Sequence, residues 1–417
     1  MADRVLLAAV KRVETAENLF SMKMQEFRSL IQTAGGQVLH EAVQTRVNPD
    51  PRYYMGEGKL QEIKQMLNHS AIDLVIFYDE LSPSQLRNIE GQLNCAVIDR
   101  IQLILDIFSL RAQSKEAKLQ VQLAQKEYLL PRLMGQGLAL SRLGGGIGTR
   151  GPGETKLEQD RRVLRDEISK IKQELIKVEK HRHISRQRRL KNPVFKVGLV
   201  GYTNAGKSTI LNHLTSADTY EEDQLFATLS PLTRTVEYDN QFQMTLTDTV
   251  GFIQDLPPQV IDAFHSTLEE SRYMDLLLVI VDASSPYRER ELEEVLHLLK
   301  ELSLDHIPRL HVYNKIDLVS QPQNLIMHDP HLQTSAIQPK STKHLMTGMA
   351  EMMKKQYNYF KVAVAPADFG DWQGSRHIIY FEEEEFSESK NMYILSGYKD
   401  SHTTFPTAIQ ENLTLKT

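Results

Sequence analysis

Apolar residues gather in short runs separated by stretches of helical period, and that alternation sets the fold class. VLLAAV at 5–10, the stretch 37–47, LVIFY at 74–78 and AVID at 96–99 read as strands. Helix-like segments at 18–33 and 82–93 lie between them, so residues 1–110 predict an open α/β domain. From 111 to 191 the period changes. Ala117, Val121, Ala124 and Tyr128 share one face of a helix that should end near Pro131. Leu164, Ile168, Ile171, Leu175 and Val178 alternate spacings of four and three, the seam of a coiled coil. Two such helices predict an antiparallel hairpin. Their join, LGGGIGTRGPGETKLE at 143–158, holds six glycines and a proline, which predicts a loop rather than a helix or strand.

Beyond the hairpin, KVGLV at 196–200 and DLLLVIVDA at 275–283 read as buried strands, QMTLTD at 243–248 is strand-like, and RLHVYNKID at 309–317 carries a further strand. Residues 192–357 are then a phosphate-loop domain, a mostly parallel sheet with helices on both faces. Residues 358–417 add YFKVAVAP and NMYILSGY, strands of a small C-terminal α/β domain. The acidic run Glu382 to Glu385 reads as a solvated loop or strand end. The whole is a multidomain α/β protein.

Composition alters this picture in two places. The chain has 417 residues, more than one ordinary core, and a single cysteine, Cys95, which excludes an internal disulfide framework. Its N-terminus lacks the plan of a secretory signal, and its longest apolar run is far too short for a bilayer, so a cytoplasmic monomer with no membrane span is expected. The formal net charge of −5 hides an asymmetry: residues 111–191 carry 20 Lys/Arg against 9 Asp/Glu, a net of +11, which leaves −16 elsewhere. Such an insert suits a polyanionic partner, and it also suits a hairpin with interleaved solvated charges. In the glycine-rich join, Arg142, Arg150 and Lys156 could approach nucleic-acid phosphates, or the join could be a plain linker.

The chemistry centres on GYTNAGKST at 201–209. Gly201 and Gly206 bracket four residues ahead of Lys207 and Ser208, the phosphate-loop pattern between a strand and a helix. Its backbone N–H groups would face phosphates at a helix N-terminus, with Lys207 on the β- and γ-phosphates and Ser208 on Mg²⁺. The binding stretch covers Gly201, Tyr202, Thr203, Asn204, Ala205, Gly206, Lys207, Ser208 and Thr209. A second element, Asp248, Thr249, Val250 and Gly251, would hold Mg²⁺ through water and meet the γ-phosphate at the Gly251 N–H. The third, Asn314, Lys315, Ile316 and Asp317, reads guanine, because a carboxylate accepts from N1–H and N2–H₂ and adenine lacks that donor pair. Ser335, Ala336 and Ile337 then lie where a backbone N–H meets guanine O6. This order of elements makes GTP and GDP the ligands and leaves a kinase reading without a use for NKID.

A first switch lies between loop and second element, with Phe226, Ala227, Thr228, Leu229 and Ser230 as candidate contacts. Thr228 is the expected second Mg²⁺ ligand, and Thr233 is the alternative. The catalytic set is Lys207, Thr228 and Gly251. Phe252 follows Gly251, where a glutamine orients the attacking water in Ras-like enzymes, so turnover should need help from a partner or from backbone. Asn204 could lend its side-chain oxygen to K⁺ beside the phosphates.

The chain resembles the HflX family of ribosome-associated GTPases, allied to the Obg-type GTPases. The resemblance is carried by NPDPRYYMGEGKL at 48–60, RAQSKEAKLQVQLAQKEYLLPRL at 111–133, GGGIGTRGPGETKLEQDRR at 144–162, GYTNAGKST and FATLSP. It implies binding to the large ribosomal subunit and its RNA near the peptidyl transferase centre. It also implies a part in splitting or rescuing stalled ribosomes, with Ser208 and Thr228 on Mg²⁺. The competing function is a GTP-regulated RNA-binding module without remodelling activity.

Overall fold

A computed structural model describes residues 3–133, 152–190, 194–215, 226, 232–239, 241–249, 251–254 and 270–405. Its contacts divide the chain into two compact units. In the first unit, strands β1 (Arg4–Arg12), β2 (Gln37–Arg46), β3 (Leu74–Phe77) and β4 (Ala96–Asp99) form a parallel sheet in the order β2-β1-β3-β4. Helices α1 (Glu17–Thr33), α2 (Glu57–His69) and α3 (Pro83–Leu93) connect them. GEGKL at 56–60 opens a helix, with Gly56 at the N-cap of α2. A capping box starts α3: the Gln85 N–H donates to Ser82 Oγ and the Ser82 N–H donates to Gln85 Oε1.

Helix α4 (Arg100–Arg111) was not legible as a periodic segment. Ile101, Leu103, Ile104, Leu105, Ile107 and Phe108 are all buried, so apolar positions run round the helix instead of marking one face. Asp99 caps it, accepting from the Gln102 N–H at 3.0 Å. That carboxylate is wholly buried and is also met by Arg132 Nη2 at 3.0 Å and by the Tyr128 hydroxyl. An unpaired carboxylate there would be strongly destabilising, so these partners make the burial possible.

The hairpin consists of α5 (Lys115–Leu133) and α6 (Pro152–Leu190). Ala117, Val121, Ala124 and Tyr128 are buried on α5, and Ile168 and Ile171 on α6. Lys126–Glu167 at 2.7 Å and Lys172–Glu127 at 2.8 Å link the two helices. α5 is described to Leu133, two residues beyond the Pro131 near which its end is expected. One expectation needs correcting: α6 begins at Pro152, so the last seven residues of the expected loop, 152–158, are helical. Proline is well suited to a first helical position, where its missing N–H would have no intrahelical partner. The stretch 134–151 lies outside the described residues.

The second unit carries two sheets. Strands β5 (Phe195–Gly201), β6 (Leu232–Tyr238), β7 (Phe242–Asp248), β8 (Leu276–Asp282), β9 (Arg309–Asn314) and β10 (His331–Gln333) lie in the order β10-β9-β8-β5-β7-β6. The described pairings are parallel except β6 with β7. β8 is buried along nearly its whole length, the continuous apolar run of a parallel strand covered on both faces. Helices α7 (Lys207–Thr215), α8 (Arg288–Glu301) and α9 (Pro339–Gln356) accompany this sheet.

The antiparallel sheet β11-β13-β12 follows, from β11 (Asn358–Val364), β12 (Tyr380–Ser387) and β13 (Met392–Lys399), with the short helix α10 (Phe369–Gly374). Glu382 to Glu385 lie inside β12 rather than in a loop. They are tolerated on this edge strand because Lys354 pairs with Glu382 and Arg376 with Glu384, each at 2.6 Å. Among the described residues, no helix is long and apolar enough to cross a membrane.

Candidate functional site

The second unit's sheet gathers the sequence elements at the C-terminal ends of its strands. Gly201 ends β5, and residues 202–206 turn into α7, whose first residue is Lys207. Two glycines are required by geometry. A Cβ on Gly201 would stand 2.4 Å from the Ile280 carbonyl oxygen, and one on Gly206 would stand 2.3 Å from Asn314 Nδ2. Gly206 also has φ +95°, and Asn204 has φ 60°. Tyr202, Thr203 and Ala205 are buried, Asn204 is exposed, and Ser208 and Thr209 are half-buried on the first turn of α7.

Lys207 is 6% exposed and donates to the carbonyls of Gly201 at 3.1 Å and Tyr202 at 2.8 Å. Burial pulls its ammonium down to about 8, against the opposing pull of Asp248.

β7 delivers Asp248 beside this loop. Ser208 Oγ donates to Asp248 Oδ2 at 2.7 Å, which places a hydroxyl and a buried carboxylate together at the helix N-terminus. Such hard oxygen donors suit Mg²⁺ completed by phosphate and water oxygens. Thr249 Oγ1 donates to the Leu199 carbonyl at 2.6 Å and so fixes the exit of β7 onto β5. Gly251 packs against the loop: a Cβ there would meet Thr203 Cγ2 at 2.9 Å and Lys207 Nζ at 3.0 Å.

Tyr202 and Phe252 then form a parallel bridge. The Thr203 N–H donates to the Phe252 carbonyl at 2.7 Å, and the Phe252 N–H to the Gly201 carbonyl at 3.1 Å. The Phe252 and Ile253 side chains are buried, so neither presents a polar group to a reacting water.

β9 supplies the other end of the site. Asn314 Nδ2 donates to the Ala205 carbonyl at 2.9 Å, while its Oδ1 accepts from the Ala336 N–H, also at 2.9 Å. One buried amide thus holds the phosphate loop to the segment after β10. Lys315, at φ 60°, donates from Nζ to the Asn204 carbonyl at 2.8 Å. The Ile316 N–H donates to the Thr334 carbonyl, and Asp317 sits exposed in the 3-10 turn Ile316–Leu318. Ser335 is buried and its carbonyl accepts from Ser341 Oγ at 2.6 Å, whereas Ile337 is exposed.

Not every candidate joins this cluster. Phe226 is the one described residue of 226–230, and it belongs to the first unit, where its ring meets Phe108 edge-on with centroids 4.6 Å apart. Ala227, Thr228, Leu229, Ser230 and Val250 lie outside the described residues. Thr233 lies on β6, its Oγ1 2.9 Å from Thr247 Oγ1 across the ladder. Sequence reasoning missed Ser341 and Asp282. Asp282 closes the apolar run of β8 as Asp248 closes β7, and a polar residue ending a buried strand was the available signal.

Comparison with known proteins bears on this geometry. Residues 21–109 match the family model of the GTP-binding GTPase N-terminal region, and 111–189 that of the GTP-binding GTPase middle region. Residues 196–315 match the model of the 50S ribosome-binding GTPase. A GTPase HflX of Alkalihalophilus pseudofirmus is 44% identical over 412 residues, covering 99% of this chain and 97% of that one. The GTPase HflX of Escherichia coli is 46% identical over 306 residues, 73% of this chain and 72% of that one. Among solved structures, a GTP-binding protein from Sulfolobus solfataricus in complex with GDP is 25% identical. The match covers 83% of this chain and 98% of that one, at a TM-score of 0.44.

Proposed function

From the premise that the chain belongs to the HflX family of GTPases and is a GTP hydrolase, we propose that it couples hydrolysis to splitting or rescue of ribosomes through their large subunit. The supporting observation is the charge of residues 111–191, +11 on an otherwise acidic chain, in the hairpin that the glycine-rich stretch joins. Ribosomal RNA is the polyanion of the chemistry this surface favours. The protein acts in this reading as a cytoplasmic monomer.

Within the pocket, Lys207 and the backbone N–H groups at the start of α7 hold the β- and γ-phosphates. The Gly251 N–H meets the γ-phosphate, and Asp317 accepts from guanine N1–H and N2–H₂. Ala336 offers its segment's backbone to guanine O6. Ser208 and Thr228 would hold Mg²⁺, and Asp248 would support it through water. The ion, when bound, neutralises charge on the phosphates. A K⁺ beside Asn204 belongs to the same proposal. Phe252 and Ile253 point inward, so water is oriented by backbone or by the ribosome.

Ribosome sedimentation tests the function. With purified ribosomes and non-hydrolysable GTP, the intact protein should convert intact particles to subunits. Deleting residues 144–153 should abolish that conversion. If the deletion merely weakens RNA affinity and splitting was never present, the protein is a GTP-controlled RNA-binding module instead.

The state of Lys207 gives a second expectation. An unfolded lysine titrates near 10.4 and the buried one near 8, so between those values the folded chain has shed a proton that the unfolded chain keeps. That burial therefore opposes folding most strongly below pH 8, and the penalty fades as pH rises toward 10.4. A bound polyphosphate favours the ammonium, so GDP binding near pH 8.5 should take up roughly half a proton or more. Calorimetry in buffers of different ionisation enthalpy measures this, and proton release, or no exchange at all, would contradict it.

A further inference from the structure

The carboxylate of Asp282, at the end of β8, makes a contact that joins three strand ends. Its Oδ2 lies 2.7 Å from Lys315 Nζ, and that same ammonium donates to the Asn204 carbonyl at 2.8 Å. Its Oδ1 accepts from the Ser284 N–H at 2.9 Å and from Ser284 Oγ at 2.5 Å, so the carboxylate is fixed by its own turn. Lys315 starts the 3-10 turn that carries Asp317, and both Lys315 and Asn204 adopt left-handed backbone, with φ 60° each. The side chains of Lys315 and Asp282 are only 28% and 19% exposed, which protects their attraction from much of the screening a surface pair suffers. Asn314 ties its neighbour Ala205 to the segment after β10. The pair at Lys315 is therefore a second tie on the adjacent loop residue, and it is anchored to β8.

We propose that Asp282 is a positioning residue for guanine-nucleotide retention, holding Lys315 on the phosphate loop so that the base-reading turn and the phosphate cradle keep one separation. This rests on the assignment of Asp317 and the loop as the two ends of the nucleotide site. Without the carboxylate, the ammonium is free to leave the Asn204 carbonyl for solvent. Two strained residues then lose the contact that holds them in register, and the nucleotide leaves sooner. Asp282 touches no nucleotide atom in this scheme. Its loss acts through Lys315.

The test uses the full chain and a fluorescent GDP. Asp282→Asn, which keeps the shape and removes the charge, should speed GDP dissociation about tenfold, and Asp282→Glu should restore part of the loss. KM for GTP should rise by more than kcat falls. Lys315→Met should speed dissociation to a similar degree, and the double variant should be no faster than either alone. Dissociation within twofold of the parent in Asp282→Asn would overturn the proposal, as would effects that add in the double variant. Asp317→Asn separates the two levels of argument. If it loses guanine binding while Asp282→Asn behaves like the parent, the positioning role alone fails. If it too keeps guanine binding, the site assignment fails with it.

Discussion

Asp317→Asn should lower affinity for GTP and GDP by about 10³-fold while improving affinity for the xanthine nucleotides. The carboxylate has only acceptors to offer, and guanine presents N1–H and N2–H₂ to it. An amide in that place sets an N–H₂ against the guanine donors and leaves one of them unpaired. Xanthine carries an oxygen in place of the exocyclic amine, so it suits the amide and opposes the carboxylate. The side chain is exposed on a short turn whose start is fixed by Lys315, so the substitution should leave the fold intact. Equilibrium titration with labelled GDP and XDP, beside circular dichroism of both proteins, reads the switch. Unchanged preference for guanine would remove Asp317 from the base site.

Gly206→Ala should destabilise the second unit by about 3 kcal/mol and largely abolish nucleotide binding. Two penalties coincide. At φ +95° an L-residue is strained by roughly 1–2 kcal/mol. The new methyl would also fall 2.3 Å from Asn314 Nδ2, an amide that is 1% exposed and cannot move aside without leaving the Ala205 carbonyl and the Ala336 N–H. Each buried group left unpaired costs about 1–3 kcal/mol. Urea unfolding of the parent and the variant measures the loss. A change below about 1 kcal/mol would mean that Asn314 is not the rigid tie its contacts indicate.

The parts of this molecule legible in the sequence were those fixed by local chemistry. Glycines at 201 and 206 announced the loop because backbone there approaches Ile280 and Asn314 too closely for a side chain. β5 and β8 announced themselves as apolar runs because a parallel strand covered on both faces needs no polar alternation, whereas β7 shows apolar and polar positions in turn along Phe242–Asp248. Helix α4 stayed hidden for the same reason, since apolar residues on all sides leave no stripe to count. The start of α6 was masked by the glycines of its approach, although Pro152 is a good first residue of a helix. The strand at Glu382 to Glu385 could not be foreseen from charge, because what holds it is pairing with β13 and the distant Lys354 and Arg376. Lys315 was visible within NKID but Asp282 was missed, because their pairing depends on β8 and β9 being neighbours.

The order of strands gives a nucleotide held as proposed a definite heading across the sheet. β5 stands between β7 and β8, with β9 beyond β8, so the guanine lies toward the β9 margin and the outermost phosphate toward β7. Past β7 comes β6, running against its neighbour and returning through a turn where Gln241 has φ 68°. An observer travelling along the sheet from β10 would meet the base first, and only on reaching β7 would learn whether two phosphates or three were aboard. In that pose the end of the nucleotide that hydrolysis changes lies beside the reversed strand.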